Sequence, residues 1–338
     1  MIAMVNRVQL DDSGSRKRKR GGAYFTPPRS VDLVTSGCQL LDSALGGGWV
    51  ERVINLVGDK STGKTLLACE LAANYLKKYP DSTIWYREVE AAFDEDYVTS
   101  LGIPADRFDR TTDCYTVEDA FEELMKLTGR KNRGLYIIDS LDALSDRAEM
   151  KRDMDQGTYG AEKAKRMSQL FRRLIQRLDK AKIMVLIISQ VRDKIGVMFG
   201  ERHTRAGGRS LDFYASQVVF LSQVKTLKRT IHGVERPTGI QVRAKVKKNK
   251  VGPPFREVDF PILFGFGVED VVAGVEWLSK VKALSDAGMT SSEAKLLLRQ
   301  LSRMDQKSYN VVRKQVNAGV RRAWKNIETE FMPKRLKY

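Results

Sequence analysis

The sequence has few cysteines and histidines, and it has no long apolar run. Its three cysteines, Cys38, Cys69 and Cys114, are odd in number and far apart, so we expect reduced thiols in or near the core and no disulfide framework. The two histidines, His203 and His232, are too isolated to indicate a metal site. No run of about 20 apolar residues is present, as a transmembrane helix would need, and the first residues do not resemble a signal peptide. We therefore expect a cytoplasmic protein.

Acidic residues are also in deficit relative to basic ones. The 338 residues include 59 Lys and Arg against 42 Asp and Glu, which gives a formal net charge of +17 at pH 7. Such an excess points to a polyanionic partner, and nucleic acid is favoured over an anionic membrane because no membrane segment is expected. Hydrophobic residues make up 42% of the chain, which is enough to form a sizeable core.

A glycine-rich phosphate-binding loop is the strongest motif in the chain. It has the pattern G-x-x-x-x-G-K-[ST] and consists of Gly58, Asp59, Lys60, Ser61, Thr62, Gly63, Lys64 and Thr65. Residues 52–57 indicate a buried strand before it and residues 66–76 a helix after it, which is the context that the motif requires. Its glycines let backbone N–H groups converge on phosphate oxygens. Lys64 would reach the β- and γ-phosphates and the Thr65 hydroxyl would ligate Mg²⁺, so the loop predicts binding of a nucleoside triphosphate.

Predicted strands and helices alternate between about residues 31 and 267, which is typical of an α/β fold with a mainly parallel central sheet. We expect this core to span residues 32–268. A flexible basic arm is expected over residues 1–31, where positions 16–20 are all Arg or Lys, and this run could contact nucleic acid or be only a solvated charge run. A small, basic and mainly helical C-terminal domain is expected over residues 269–338.

Polar residues stand at the predicted ends of three strands, where open α/β sheets place their sites. Asp139 follows an apolar strand and suits an acid that holds Mg²⁺. Glu90 ends a strand that we expect beside the loop strand, and it suits a carboxylate that deprotonates the attacking water. Gln190 ends another apolar strand and could sense the γ-phosphate. The lysine-rich residues 245–250 are a candidate source of a cation that acts in trans, or only a solvated strand edge.

One segment closely resembles the second DNA-binding loop of bacterial RecA recombinases and the helix that follows it. It comprises residues 191–200 (Val-Arg-Asp-Lys-Ile-Gly-Val-Met-Phe-Gly), Gly207, Gly208 and residues 211–216 (Leu-Asp-Phe-Tyr-Ala-Ser). Weaker matches stand in the family's order at residues 89–94, 138–144, 166–169, 248–250 and 254–255. The resemblance covers about residues 32–267.

The resemblance implies a RecA-like P-loop ATPase core that uses ATP and Mg²⁺. Members of this family are DNA-dependent ATPases that assemble into helical homo-oligomeric filaments on single-stranded DNA, with ATP bound between neighbouring protomers. They pair the bound strand with homologous double-stranded DNA and exchange strands in recombination and repair.

Matched positions carry the family's roles onto this sequence. The catalytic residues would be Lys64, Glu90, Gln190, Lys248 and Lys250, of which the last two act in trans on the next subunit's nucleotide. Asp94 and Tyr97 would lie beside the adenine, and Thr65 and Asp139 would hold the metal. The DNA-binding residues would be Ser168, Arg172, Arg192, Lys194, Ile195, Gly196, Val197, Met198, Phe199, Gly200, Arg205, Gly207, Gly208 and Arg209.

The chemistry of the predicted DNA loop agrees with the resemblance. Glycine N–H groups and nearby arginines can hold phosphates with little sequence preference, and Met198 and Phe199 could wedge between bases or instead fold back into the core. Two features depart from the family's pattern. Residues 16–20 stand in place of a recognisable N-terminal oligomerisation helix, and the chain ends basic where bacterial members typically end in an acidic tail. Such divergence suggests a phage or mobile-element recombinase.

Two other functions remain open on the sequence. A hexameric replicative helicase on the same core would form closed rings, but it gives no reason for the match at residues 194–200. A non-hydrolysing recombination mediator would be expected to lack the catalytic acid, yet Glu90 is present together with Lys64 and Asp139. A DNA-dependent recombinase is therefore our leading interpretation.

Overall fold

The structure is a computed structural model that describes residues 9–10, 16–17, 32–89, 95–100, 102–110, 114–130, 132–147, 150, 160–193, 203–204 and 208–335. Its strands are β1 (Gln9–Leu10), β2 (Arg16–Lys17), β3 (Leu33–Val34), β4 (Trp49–Val50), β5 (Val53–Gly58), β6 (Thr83–Glu88), β7 (Phe108–Asp109), β8 (Gly134–Asp139), β9 (Ile183–Gln190), β10 (Arg192–Asp193), β11 (His203–Thr204), β12 (Gln217–Ile231), β13 (Val234–Asn249), β14 (Glu257–Leu263) and β15 (Gly267–Val268).

The helices alternate with these strands along the core and then follow one another. They are α1 (Gln39–Ala44), α2 (Lys64–Lys78), α3 (Glu95–Ser100), α4 (Val117–Leu127), α5 (Gly160–Ala181), α6 (Gly208–Tyr214), α7 (Asp270–Lys280), α8 (Ser291–Gln300) and α9 (Gln306–Glu330). Short 3₁₀ helices occupy Ala105–Arg107, Leu284–Ala287 and Leu301–Arg303.

A nine-stranded sheet forms the centre of the fold, in the order β15-β14-β13-β12-β5-β9-β8-β6-β7. In this order, β12, β5, β9, β8, β6 and β7 pair in parallel, each with its neighbour. At the other side of the sheet, β12, β13, β14 and β15 pair antiparallel with their neighbours. The expected α/β fold with a mainly parallel central sheet is therefore confirmed. One expectation about its order is wrong, because β6, the strand that leads towards Glu90, is not beside the loop strand β5. Strands β9 and β8 lie between them.

Alternation of apolar residues along the central strands produces a core on each face of the sheet. On β5, Ile54 and Leu56 face the layer that contains α2, while Val53 and Val57 face the layer that contains α5. Strands that are apolar at every position are expected where helices cover both faces of a parallel sheet. The long helix α5 packs one stripe on the sheet, with Met167, Phe171, Leu174 and Leu178 buried.

The hairpin of β12 and β13 is longer than the sequence pattern predicts. The sequence pattern predicts strands over about residues 218–227 and 239–247, but in the structure the two strands pair as far as Ile231 and Val234. Only residues 217–221 of β12 pair with β5, and residues 239–245 of β13 pair with β14. The outer part is an exposed two-stranded ribbon, and it has no buried face whose apolar residues would mark it in the sequence.

The C-terminal helices pack on the sheet through both apolar and charged contacts. Val316 and Val320 of α9 belong to the same core cluster as α2, and a Cβ on Gly274 of α7 would lie 2.5 Å from Val316 Cγ1. The buried Asp270 carboxylate accepts hydrogen bonds from Arg313 Nε at 2.8 Å and from the Gln39 N–H at 2.7 Å. These contacts join α1, α7 and α9. The expected boundary between the core and a C-terminal domain at residue 268 stays a prediction.

The predicted N-terminal arm lies mostly outside the described residues. Within it, β1 pairs antiparallel with β2. The function of the arm stays a prediction.

The carboxyl group of Glu70, a half-buried residue on α2, makes stability sensitive to pH. Glu70 Oε1 accepts the Val268 N–H at 2.7 Å, and a Cβ on Gly37 would lie only 2.6 Å from Glu70 Oε2. Burial raises the pKa of Glu70 from 4.5 to about 7, although the Arg313 charge opposes this effect. A carboxyl whose folded pKa is raised contributes stability below its unfolded pKa, and this contribution is lost as the pH rises through the folded pKa.

We predict that Glu70→Gln reduces the loss of stability between about pH 5 and about pH 8 by on the order of 2 kcal/mol. The glutamine oxygen can still accept the Val268 N–H but carries no titrating proton. Urea unfolding midpoints at both pH values measure the effect, with the exposed Glu330→Gln as control. An unchanged pH dependence in Glu70→Gln would contradict the assignment.

Candidate nucleotide site

The loop between β5 and α2 has two positions that require glycine. Gly63 has a φ of +85°, and a Cβ there would lie 2.4 Å from Ile262 Cδ1. A Cβ on Gly58 would lie 2.6 Å from Thr62 Oγ1 and 3.0 Å from the carbonyl oxygen of Leu221. Close packing therefore disfavours a side chain at both positions, and at Gly63 the positive φ disfavours one as well.

The N-terminus of α2 is arranged to receive an anion. Helices α4, α8 and α9 begin with side-chain caps from Thr116, Thr290 and Asp305, whereas α2 begins at Gly63 without one. The first N–H groups of a helix have no partner within that helix, and together with the helix dipole they favour negative charge. Lys64 at this end is buried, and its Nζ donates to the carbonyl oxygen of Asp59 at 2.6 Å.

The structure brings together the two residues predicted to bind the metal. Thr65 Oγ1, in the first turn of α2, donates to Asp139 Oδ2, at the end of β8, at 2.8 Å. Carboxylate and hydroxyl oxygens are ligands of the kind that Mg²⁺ takes, and Mg²⁺ in nucleotide sites is usually held by one or two protein groups plus phosphates and water. The residues present therefore fit Mg²⁺ with a bound nucleotide. Among the described residues, no cluster of three or more His, Cys, Asp or Glu has metal-binding geometry.

A second hydroxyl-bearing residue, which the sequence did not single out, also contacts the acid. Tyr86 on β6 is fully buried, and its OH donates to Asp139 Oδ2 at 2.8 Å. Burial raises the pKa of this phenol well above its usual value, and the neighbouring Asp139 raises it further. An aromatic residue in an apolar strand predicts core packing, so no local signal in the sequence indicates this polar role.

Gln190 lies directly beside the phosphate-binding loop. It is the register partner of Gly58 in the parallel pair of β5 and β9, and the following Val191 N–H donates to the Gly58 carbonyl oxygen at 3.3 Å. The Gln190 N–H donates to Asp142 Oδ2 at 2.7 Å. The segment that leaves β9 towards the predicted DNA loop is thus bonded directly to the loop strand.

Lys248 and Lys250 lie towards the opposite end of the sheet. Lys248 is the register partner of Val218, which in turn is the partner of Asn55 on β5, three residues before Gly58. At about 3.3 Å per residue this places Lys248 roughly 10 Å back along the strand direction from the loop, and Lys250 lies further back.

The side chain of Lys248 is held at that end. Its Nζ donates to the carbonyl oxygens of Asp212 and, at 2.9 Å, Phe213, both on α6. Burial and the nearby Arg52 charge lower the pKa of Lys250. These two lysines are therefore not brought together with Lys64, Thr65 and Asp139 of the same chain.

Two of the predicted DNA-binding residues lie on described parts of α5. Ser168 is half-buried and Arg172 is exposed, on the side of the helix away from its buried stripe. Arg192 belongs to β10, and Gly208 and Arg209 belong to α6, but the side chains of the two arginines lie outside the described residues.

The remaining predicted site residues lie outside the described residues. Tyr97 falls within α3, but its side chain is not described. Those wholly outside are Glu90, Asp94, Lys194, Ile195, Gly196, Val197, Met198, Phe199, Gly200, Arg205 and Gly207. Their roles stay predictions.

Within the described part of the chain, no helix is both long enough and apolar enough to cross a membrane.

Comparison with known proteins places this geometry in a family. The family model for the RecA N-terminal domain matches residues 24–269. The chain is 35% identical over 241 residues to protein RecA of Clostridium acetobutylicum, which covers 71% of this chain and 67% of that protein. It is 36% identical over 242 residues to protein RecA of a Synechococcus species, which covers 71% of this chain and 62% of that protein. The chain thus spans about two thirds of the length of these curated relatives.

A solved structure agrees at the level of the fold. The crystal structure of the RadB recombinase matches with a TM-score of 0.52 and 20% sequence identity, over 70% of this chain and 99% of that one. At this identity the likeness speaks for the fold alone. The family match, by contrast, spans the whole nine-stranded sheet and the phosphate-binding loop at its edge. The chain belongs to the RecA family.

Proposed function

We propose that the protein is a DNA-dependent ATPase that forms helical filaments on single-stranded DNA, pairs that strand with homologous duplex and exchanges strands in recombination and repair. The observation that carries the proposal is the contact between Thr65 and Asp139 at the start of α2, next to a loop with the full phosphate-binding pattern. Family membership supports the DNA-dependent part. We further propose a cytoplasmic location and a phage or mobile-element origin.

Nucleotide binding follows from the uncapped end of α2. The N–H groups of residues 59–65 would hold the phosphates, and Lys64 would exchange its bond to the Asp59 carbonyl for phosphate oxygens. Thr65 and Asp139 would hold Mg²⁺, which when bound neutralises charge on the β- and γ-phosphates. Asp94 and Tyr97 would flank the adenine.

Hydrolysis requires a positioned water and a base. Glu90 lies just beyond β6, and the last residue of that strand, Glu88, is the register partner of Asp139. The Glu90 carboxylate would orient and deprotonate the water that attacks the γ-phosphate. Gln190 would bond to the γ-phosphate and transmit its presence to the DNA loop, because β9 runs directly into that loop.

DNA binding would use the loop after β9 and the exposed flank of α5. The positively charged side chains in the proposed set would track the phosphates, and Met198 and Phe199 would separate bases. Such contacts have little sequence preference, as expected of a protein that must act on any homologous strand.

The position of Lys248 supports a role for Lys248 and Lys250 in a neighbouring subunit. A head-to-tail contact presents one end of a protomer to the other end of the next, and such contacts generate helices when they do not close. The lysine end of one sheet would then face the phosphate-binding loop of the next protomer. The two lysines would neutralise transition-state charge on that nucleotide.

The alternatives differ in observable behaviour. A replicative helicase would form closed rings and unwind duplex, and a non-hydrolysing mediator would bind ATP without turnover. Neither is favoured by a specific feature of the described residues.

We predict that single-stranded DNA strongly stimulates ATP hydrolysis by the native chain. Glu90→Gln should lower the stimulated rate by about 10²-fold or more, since a general base contributes that much, and Lys64→Ala should abolish it. Glu122→Gln, an exposed change on α4, is the control and should behave like the native chain. Hydrolysis that is indifferent to DNA would contradict the recombinase proposal and favour a regulator.

The trans role predicts complementation between two inactive variants. Glu90→Gln retains both lysines, and Lys248→Ala retains Glu90. In a random equimolar filament about a quarter of the interfaces combine an intact nucleotide site with intact lysines from the neighbour, so about a quarter of the native rate should return on mixing. If Lys248 acted within its own chain, mixing would restore nothing.

A salt titration tests the α5 surface. The logarithm of the DNA-binding constant falls as the logarithm of the salt concentration rises, and removing one phosphate contact makes this negative slope shallower by about 0.7 for single strands. We expect this change in Arg172→Ala, measured by fluorescence anisotropy with labelled single-stranded DNA. Lys180→Ala, an exposed change in the last turn of the same helix, should leave the slope unaltered. Equal slopes for the native chain, Arg172→Ala and Lys180→Ala would contradict a phosphate contact by Arg172.

A further inference from the structure

Tyr86 approaches the phosphate-binding site from a different element than Thr65 does. It lies on β6, whereas Thr65 lies on α2, yet both hydroxyls donate to the same oxygen, Oδ2 of Asp139, each at 2.8 Å. Asp139 is itself 8% exposed and Tyr86 is fully buried. In such surroundings, hydrogen bonds from neutral donors to a carboxylate are stronger than those between neutral groups.

Packing fixes the position of the Tyr86 ring. Phe108 of β7 lies against it with ring centroids 5.8 Å apart, and the ring is part of the core that also contains α2. The Cys69 thiol on α2 also interacts with the Tyr86 hydroxyl. The phenol therefore has little freedom to move, and its bond to Asp139 restrains the carboxylate from the β6 side.

We propose that Tyr86 is a positioning residue for the metal site: its hydroxyl holds the Asp139 carboxylate in the orientation in which Asp139 and Thr65 bind Mg²⁺ with the nucleotide. The inference rests on the proposed function. Thr65 belongs to the loop and helix that would bind the nucleotide, and under the proposed function it is itself a ligand of the metal. Tyr86 does not belong to that segment, and it keeps Asp139 aligned between turnovers.

Two effects of the Tyr86 hydroxyl on metal binding oppose each other. The hydrogen bond withdraws charge from the carboxylate, which weakens its attraction for a cation, but it also orients the carboxylate. In metal sites the orientation is usually the larger effect, because loss of such outer partners weakens metal binding about 10–100-fold. Removal of the hydroxyl should therefore weaken Mg²⁺ binding rather than strengthen it.

The test is Tyr86→Phe, which keeps the ring and removes only the hydroxyl. Binding of a fluorescent ATP analogue is titrated with Mg²⁺ in the absence of DNA, and again in excess chelator. We expect the Mg²⁺ concentration at half-saturation to rise about 10-fold, while binding in chelator is unchanged. Saturating Mg²⁺ should restore most of the DNA-stimulated kcat, so the defect appears as a metal-concentration requirement.

Tyr75→Phe is the matched control. Tyr75 on α2 is also fully buried and also donates to a carboxylate, Glu51 Oε1 at 3.0 Å, but it lies away from the loop and also bonds to the carbonyl oxygen of Gly134 at the start of β8. It should show the native Mg²⁺ dependence. An equal shift in both variants would mean that any lost buried hydroxyl has this effect, and it would overturn the proposal.

A double-mutant comparison separates action through Asp139 from a general defect. In an Asp139→Asn background, Tyr86→Phe should cause no further shift in the Mg²⁺ requirement, whereas additive shifts would overturn the proposal. If the native chain binds the analogue with Mg²⁺ dependence but Tyr86→Phe is unchanged, only this inference fails. If the native chain shows no Mg²⁺-dependent binding, the proposed function fails as well.

Discussion

The register of the parallel strands is the constraint on which the site depends. Gly58 pairs with Gln190 across β5 and β9, and β8, which ends at Asp139, continues the same parallel set. The phosphate-binding loop and the polar strand ends Gln190 and Asp139 therefore meet at one edge of the sheet. Parallel strands need long crossovers, and here the helices of those crossovers cover both faces with apolar side chains. The polar groups are therefore confined to the edge, where the uncapped start of α2 also lies. A shift of β9 by one residue would turn its side chains to the opposite faces and separate Gln190 from the loop.

Much of this arrangement could be predicted from the sequence because its signals are local. Residues 183–188 are all apolar and are followed by Ser189 and Gln190, and the predicted strand over residues 183–190 has those bounds in the structure. The signal of the phosphate-binding loop is equally local, since the eight residues of its pattern are consecutive. The contacts that leave no room for a side chain at Gly58 and Gly63 also involve Leu221 and Ile262, which are distant in the chain. The order of strands is not a local property. Strands β8 and β9 come later in the chain than β6 yet lie between it and β5, and no pattern within β6 records this.

The less predictable parts of the site involve residues whose sequence signal points elsewhere. Tyr86 has the pattern of a core aromatic, and it is indeed in the core; only the meeting of β6 with β8 and α2 gives its hydroxyl a carboxylate partner. The outer ribbon of β12 and β13 is the opposite case, in which backbone pairing persists without burial and so without alternating apolar residues. Glu70 likewise reads as an ordinary helix-surface acid, although contacts with Gly37 and Val268 enclose it. In each case a partner distant in the chain decides the environment.

The two ends of the sheet then have different tasks under the proposed function. The phosphate-binding edge contains the groups that hold a nucleotide, whereas Lys248 is fixed to α6 carbonyls nearer the other end. A single protomer would thus bind ATP but lack part of the charge that stabilises the transition state for its hydrolysis. Contact with a neighbour would supply that charge, and DNA would favour the contact by aligning protomers along one strand. Hydrolysis would in this way depend on assembly, and protomers that are not bound to DNA would hydrolyse little ATP.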